Sequence, residues 1–196
     1  MMEEDKASTR DQILAGARRA FAEKGFRASM REIAQLAGIS TTSLIFWYFP
    51  DKEALWLAVI RDASPLAKVQ AVFQEMSQDE APDRVLRAVV DAYFRVYQDL
   101  DNRRILFQML SHSTQAGVAD VLRTQLTEVM EQEMATLVQE GQMKGVFRRD
   151  VPAPFLAQAL LGILLALVTR LHVDGKLPWT PEEIATYLLA IAGVRG

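Results

Sequence analysis

The chain has 196 residues and a net charge of −3, with half its residues apolar and 24% charged. That balance belongs to a soluble globular protein and not to a disordered one. It has no cysteine, which excludes disulfides, thiolate metal sites and cysteine nucleophiles and suits a cytoplasmic setting.

The opening MMEEDKASTR is polar and mixed in charge, so no secretory signal is expected. Thr9-Arg10-Asp11-Gln12 has the spacing of a capping box. Ile13, Leu14, Ala17, Ala20 and Phe21 then form one helical face that ends near Lys24-Gly25. Ser29 precedes Glu32 by three, a second capping pattern, and Ile33, Ala34, Leu36 and Ala37 follow at helical spacing. Gly38 is the left-handed stop, and Ser40 or Thr41 can cap the next helix. That helix carries Thr41, Thr42 and Ser43 at its start and Phe46, Trp47 and Tyr48 toward its end. Two short helices joined by a tight turn are a helix–turn–helix, whose second helix offers its first residues to DNA base edges. Residues 9–52 hold seven Lys/Arg against four acids, +3, so the rest of the chain carries −6. A mildly basic head on an acidic body fits phosphate contact.

After Lys52 the pattern EALWLAVIRDA reads as a helix to about Asp62, broken at Pro65 and resumed from Leu66 to Met76. A surface break over 78–82 precedes an amphipathic helix over Asp83–Asp99, with Val85, Leu86, Val89, Val90, Phe94 and Tyr97 inward. Asn102 to Thr114 is another, with Ile105, Leu106, Met109 and Leu110 inward, closed by Ala116-Gly117. One long helix is expected from Val118 to Lys144, stopped by Gly145, and Phe147-Arg148-Arg149-Asp150 is a connector. Residues 155–173 are apolar almost all round, which predicts a helix buried on every side, in its own core or against a partner, and not a membrane span, because Gln158, Thr169, Arg170 and His172 interrupt it. Thr180-Pro181-Glu182-Glu183 starts the last helix, followed by Ile184, Leu188 and Ile191. The chain therefore reads as all-α with about nine helices: a three-helix DNA-binding head over residues 1–52 and a helical ligand-binding and dimerisation body over 53–196.

No catalytic constellation stands out. The two histidines, His112 and His172, are 60 residues apart, and no phosphate loop, dinucleotide motif or metal-ligand spacing occurs, so no enzyme activity, cofactor or metal is expected. Trp56, Phe73, Phe94, Phe107, Met109, His112 and Met130 are core material that could equally line a small-molecule cavity. Ala159, Gly162 and Ala166 put small residues on one strip beside Ile163. With Ile184, Leu188 and Ile191 of the last helix they suggest a symmetric four-helix dimer surface.

The head resembles the tetracycline-repressor (TetR) family of bacterial transcription regulators. The resemblance rests on Phe21-x-x-Lys24-Gly25-Phe26, on Arg31-Glu32-Ile33-Ala34 with Ala37-Gly38-Ile39-Ser40, and on Leu44-Ile45-Phe46-x-Tyr48-Phe49-Pro50-x-Lys52-Glu53-Ala54-Leu55. It implies a homodimeric, ligand-responsive repressor that binds a palindromic double-stranded operator and leaves it when a small-molecule inducer occupies the body. Thr41, Thr42 and Ser43 would then meet base edges or nearby phosphates, Trp47, Tyr48 and Lys52 the backbone, and Ser29 and Arg31 the backbone from the middle helix. Phe46 stands where the family usually has Tyr. The link from Gly25 to Ser29 is one residue short of the family's usual length, and the turn from Gly38 to Thr42 is one residue long. The competing class is a helical small-molecule-binding or adaptor protein without sequence-specific DNA binding.

Overall fold

The computed structural model describes residues 2–75, 80–111 and 128–194, with side chains from residue 9 onward. Among the described residues there are ten α-helices and no strand. They are α1 (Met2–Lys24), α2 (Met30–Leu36), α3 (Thr42–Tyr48), α4 (Lys52–Ala63) and α5 (Leu66–Glu75), then α6 (Pro82–Tyr97), α7 (Leu100–Ser111), α8 (Glu128–Met143), α9 (Ala153–Asp174) and α10 (Pro181–Ile191); a 3-10 turn, Gly25–Arg27, follows α1. His112 and residues 113–127, including the expected break at Ala116-Gly117 and the first part of the long helix, lie outside the described residues.

The helices group into two compact units that do not follow chain order: residues 1–64 with 99–122, and residues 65–98 with 123–196. The chain thus passes from one unit to the other beside Pro65, where the sequence breaks its helix, and α4 belongs with the head. In the first unit α1 packs on α2, α4 and α7, and α2 packs on α3. Ile13, Phe21, Ile33, Ile45 and Trp56 are fully buried there, with Phe21 edge-on to Trp56 at 4.8 Å between ring centroids. Such a pair contributes about 0.5–1.5 kcal/mol beyond its buried area. Arg18 of α1 pairs with Asp99 at 2.6 Å. Asp99 also accepts the backbone N–H groups of Asp101 (2.8 Å) and Asn102 (3.2 Å). This cap is why α7 begins at Leu100 and not at Asn102.

In the second unit α6 is the hub, touching α5, α8, α9 and α10, while α8 and α9 pack on each other. The connector 144–152 is tied down at both ends. Arg149 donates to the last carbonyls of α8 (Gln142 O 2.6 Å, Met143 O 3.1 Å), and the Gln142 amide donates to Arg148 O and Val151 O. Arg148 forks onto Asp150, and its backbone N–H reaches Ala192 O at 2.7 Å.

Four expectations are corrected. Helix α1 starts at Met2, so Thr9 lies inside it; the residues before Thr9 carry no helix breaker and continue the helix. Leu110 is 39% exposed, because Ile105, Leu106 and Met109 already fill the buried stripe of α7. This chain covers helix α9 along one face only, which sets aside burial on every side within its own core and leaves burial against a partner: Leu156, Ala157, Leu160, Leu164 and Val168 are covered, while Phe155 and Val173 are 66% and 74% exposed. By length and composition α9 could cross a membrane, but its covered stripe packs on α8 in the manner of a core helix. Ile184 and Leu188 are buried against this chain's own α6 side, so they are core and not surface.

Candidate nucleic-acid interface

The head is held in shape by a polar knot at the start of α2. The Ser29 hydroxyl accepts the Glu32 backbone N–H (3.2 Å) and donates to the Glu32 carboxylate (2.9 Å), which also accepts the Ser29 backbone N–H (2.8 Å). Lys24, the last residue of α1, pairs with the same carboxylate. The Lys24 hydrogen bond, with those from Ser29, pulls the Glu32 pKa down to about 2. The knot therefore fixes the angle between α1 and α2 through one acid. It also occupies Ser29, whose hydroxyl and N–H are both engaged here, whereas Arg31 is exposed.

Gly38 ends α2 with φ +68°, a left-handed conformation that L side chains disfavour. It lets Gly38 N–H reach Gln35 O and Ile39 N–H reach Ala34 O. The backbone then arrives at Thr41, the N-cap of α3, whose side chain makes no capping hydrogen bond. The hydroxyl expected to close this helix is not used for it. Thr41 and Ser43 are exposed and Thr42 is half-buried.

Helix α3 buries Ile45, and Phe49 just after it, i and i+4 on one face. That rotation turns Phe46 and Trp47 outward, 47% and 63% exposed, with Tyr48 half-buried and edge-on to Trp47 at 5.1 Å. A tryptophan exposed to that degree leaves a large apolar surface in water.

Two cations flank this helix on ring faces. Lys52 Nζ sits 4.5 Å from the Phe26 centroid and the Arg10 guanidinium 5.4 Å from that of Phe49, both within cation–π range. Partial burial pushes the Lys52 pKa down, and the Glu32 charge opposes that. Asp51 starts α4 by accepting the Ala54 N–H at 2.7 Å, which sets Lys52 in the first turn. Arg10, Phe26 and Asp51 escaped the sequence reading as site residues. Asp51-x-x-Ala54 offered a cap signal, but nothing in the spacing of Arg10 and Phe49 foretells their contact.

The residues proposed from sequence to line a ligand cavity divide between the units. Trp56, Phe107 and Met109 belong to the first, and Phe73, Phe94 and Met130 to the second, while His112 lies outside the described residues. Trp56, Phe94, Met109 and Met130 are buried, and Phe73 and Phe107 half-buried. Among the described residues the buried Trp56 indole N–H has no hydrogen-bond partner. Within the second unit an open cleft of about 440 Å³ lies between α8 and the start of α9, lined by Glu128, Glu131, Gln132, Ala135, Phe155 and Gln158 among others. It contains none of the residues proposed from sequence. On α9, Gly162 and Ala166 are exposed and Ala159 and Ile163 half-buried; Ile191 of α10 is 42% exposed.

The family model described as bacterial regulatory proteins of the tetR family matches residues 13–59, which run from α1 through the knot, α3 and most of α4. The HTH-type transcriptional repressor AcnR of Corynebacterium diphtheriae is 30% identical over 176 residues, covering 85% of this chain and 82% of AcnR. The chain belongs to the TetR family. Another family relative, the HTH-type transcriptional regulator RutR of Escherichia coli K12, is 29% identical over 126 residues, covering 64% of this chain and 58% of RutR. That match spans little more than half of RutR's length. A TetR-like transcriptional regulator from Rhodococcus sp. RHA1 shares the fold, with a TM-score of 0.72 at 22% identity over 94% of this chain and 93% of that one.

Proposed function

We propose that this TetR-family chain is a cytoplasmic, ligand-responsive repressor that binds a palindromic operator as a homodimer and leaves it when a small molecule occupies the C-terminal body. The observation that carries the DNA-binding half is the surface of α3. Its first turn presents the hydroxyls of Thr41 and Ser43 to solvent without spending that of Thr41 on the cap, and its outer face leaves Phe46 and Trp47 exposed. Thr41, Thr42 and Ser43 are assigned to base edges or adjacent phosphates, Phe46, Trp47, Tyr48 and Lys52 to the backbone, and Arg31 to the backbone from α2. Ser29 serves first as the cap of α2. Two heads in a symmetric dimer read half-sites about one helical turn apart, roughly 34–36 Å.

The dimer surface is assigned to the open face of α9 at Gly162 and Ala166, with Ala159, Ile163 and Ile191 at its margin. Among the described residues a Cβ added at Gly162 meets nothing within 4 Å, so a second helix can approach closely there. The ligand half rests on apolar side chains in the second unit, Phe73, Phe94 and Met130 among them. Ligand and DNA then act on one equilibrium, each lowering affinity for the other by the same factor. The decisive test is a salt-dependent gel shift with the DNA flanking the chain's own coding region. A sequence-selective complex that weakens with salt supports the proposal, and no complex at low salt refutes it. A thermal-shift screen of small molecules then identifies the ligand class.

A further inference from the structure

Lysine is a costly residue to immobilise: its four-carbon stem carries about 2 kcal/mol of rotamer entropy, lost when the ammonium is fixed against a phosphate. Lys52 is not left to pay this on docking. Its Nζ is already seated 4.5 Å from the centroid of Phe26. The ring stands in the short turn Gly25–Arg27, closed by the Ala28 N–H to Gly25 O at 3.2 Å and anchored at the end of α1. Phe26 is half-buried, and so is Lys52, which keeps part of its surface open to solvent. The acid that acts on Lys52 is Glu32, and that carboxylate is taken by Lys24 and by the capping bonds of Ser29. Among the described residues the ammonium has no ion-pair partner, so its charge is uncancelled and the ring face holds it.

We propose that Phe26 is a positioning residue for DNA binding, whose ring pre-seats Lys52 for a backbone phosphate. Phe26 touches no DNA in this scheme and acts through Lys52. The inference deepens the DNA-binding reading and rests on it.

The test is a double-mutant cycle measured by fluorescence anisotropy across a salt series. The probes are a labelled duplex of the DNA flanking the coding region and a labelled duplex of random sequence. The proteins are the full-length wild type, F26L, F26Y, K52M and F26L/K52M, each checked by thermal unfolding. F26L is expected to bind both duplexes about two- to fivefold more weakly, the equivalent of an exposed cation–π contact. F26Y, which keeps a ring, binds as the wild type does and serves if the leucine variant does not fold. K52M lowers the slope of log affinity against log salt by about 0.9. Adding F26L to K52M costs nothing further, a result that a purely structural role for Phe26 does not produce. An equal F26L loss with and without Lys52 overturns the proposal, as does unchanged F26L binding beside a wild type that binds. A wild type that binds neither duplex at low salt refutes the DNA-binding reading itself, and is told apart by needing no variant.

Discussion

Replacing Gly16 by alanine is a severe test of how the head is assembled. Gly16 lies on the buried side of α1, where a Cβ would stand 2.5 Å from Ala37 N, 2.7 Å from its Cα and 2.7 Å from its Cβ. Two of those three atoms are backbone, so no rotamer change relieves the clash and α1 must move away from α2. Overpacking of this kind costs about 1–3 kcal/mol, and the rigidity of the neighbour places this case at the upper end. Against it stands the gain in helix propensity from Gly to Ala, about 1 kcal/mol. The net expectation is a loss of about 2 kcal/mol, or roughly 4–8 °C in unfolding temperature for a chain of this size. Circular dichroism measures the shift, and amide exchange should place the loss in α1 and α2. Operator affinity should fall as well, because α2 sets the pose of α3. A Gly16→Ala protein that unfolds at or above the wild-type temperature would refute the packing argument.

Further outcomes are expected at other positions. Lys52→Ala should weaken binding about equally on all duplexes, whereas Thr42→Ala should re-rank them; identical changes in preference from both would end that division of roles. Glu32 has a lowered folded-state pKa, so its contribution is complete above its ordinary value of 4.5 and is lost as pH falls from there toward about 2. A carbon-detected NMR titration should find its midpoint near 2, and a midpoint near 4.5 would mean that Lys24 and Ser29 do not hold it. Asp51→Ala removes the cap of α4 and should cost about 0.5–2 kcal/mol by urea unfolding, with no loss counting against the cap. Gly162→Leu fills the open point on α9 and should shift micromolar protein from dimer toward monomer in sedimentation, whereas a wild type that is already monomeric removes the dimer proposal.

Local rules carried far in this chain. Ser29 with Glu32 and Thr180 with Glu183 form reciprocal capping boxes as their spacing predicts, because a cap depends only on residues three apart. The same holds for the stops at Gly38 and Gly145, both with positive φ, and for the inward face of α6, whose expected residues are all buried. These signals, with the order of motifs from Phe21 to Leu55, were enough to read an all-α TetR-like chain.

What needed the tertiary structure was every question about which apolar face meets which neighbour. Periodicity gives α9 and α10 a continuous apolar surface. Only the packing of α10 on α6 shows that Ile184 and Leu188 are core, leaving Gly162 and Ala166 open. Likewise Thr9 has a capping spacing, yet the helix runs through it, since the residues before it favour helix as well. The seats of Lys52 on Phe26 and of Arg10 on Phe49 join residues 26 and 39 positions apart. Sequence alone determined that the chain is all-α and placed the capping boxes at Ser29 and Thr180 and the stops at Gly38 and Gly145, because caps, stops and periodicity act within one or two turns. The fold decided which side chains remain free to act, because burial and ring–cation contact are made between helices.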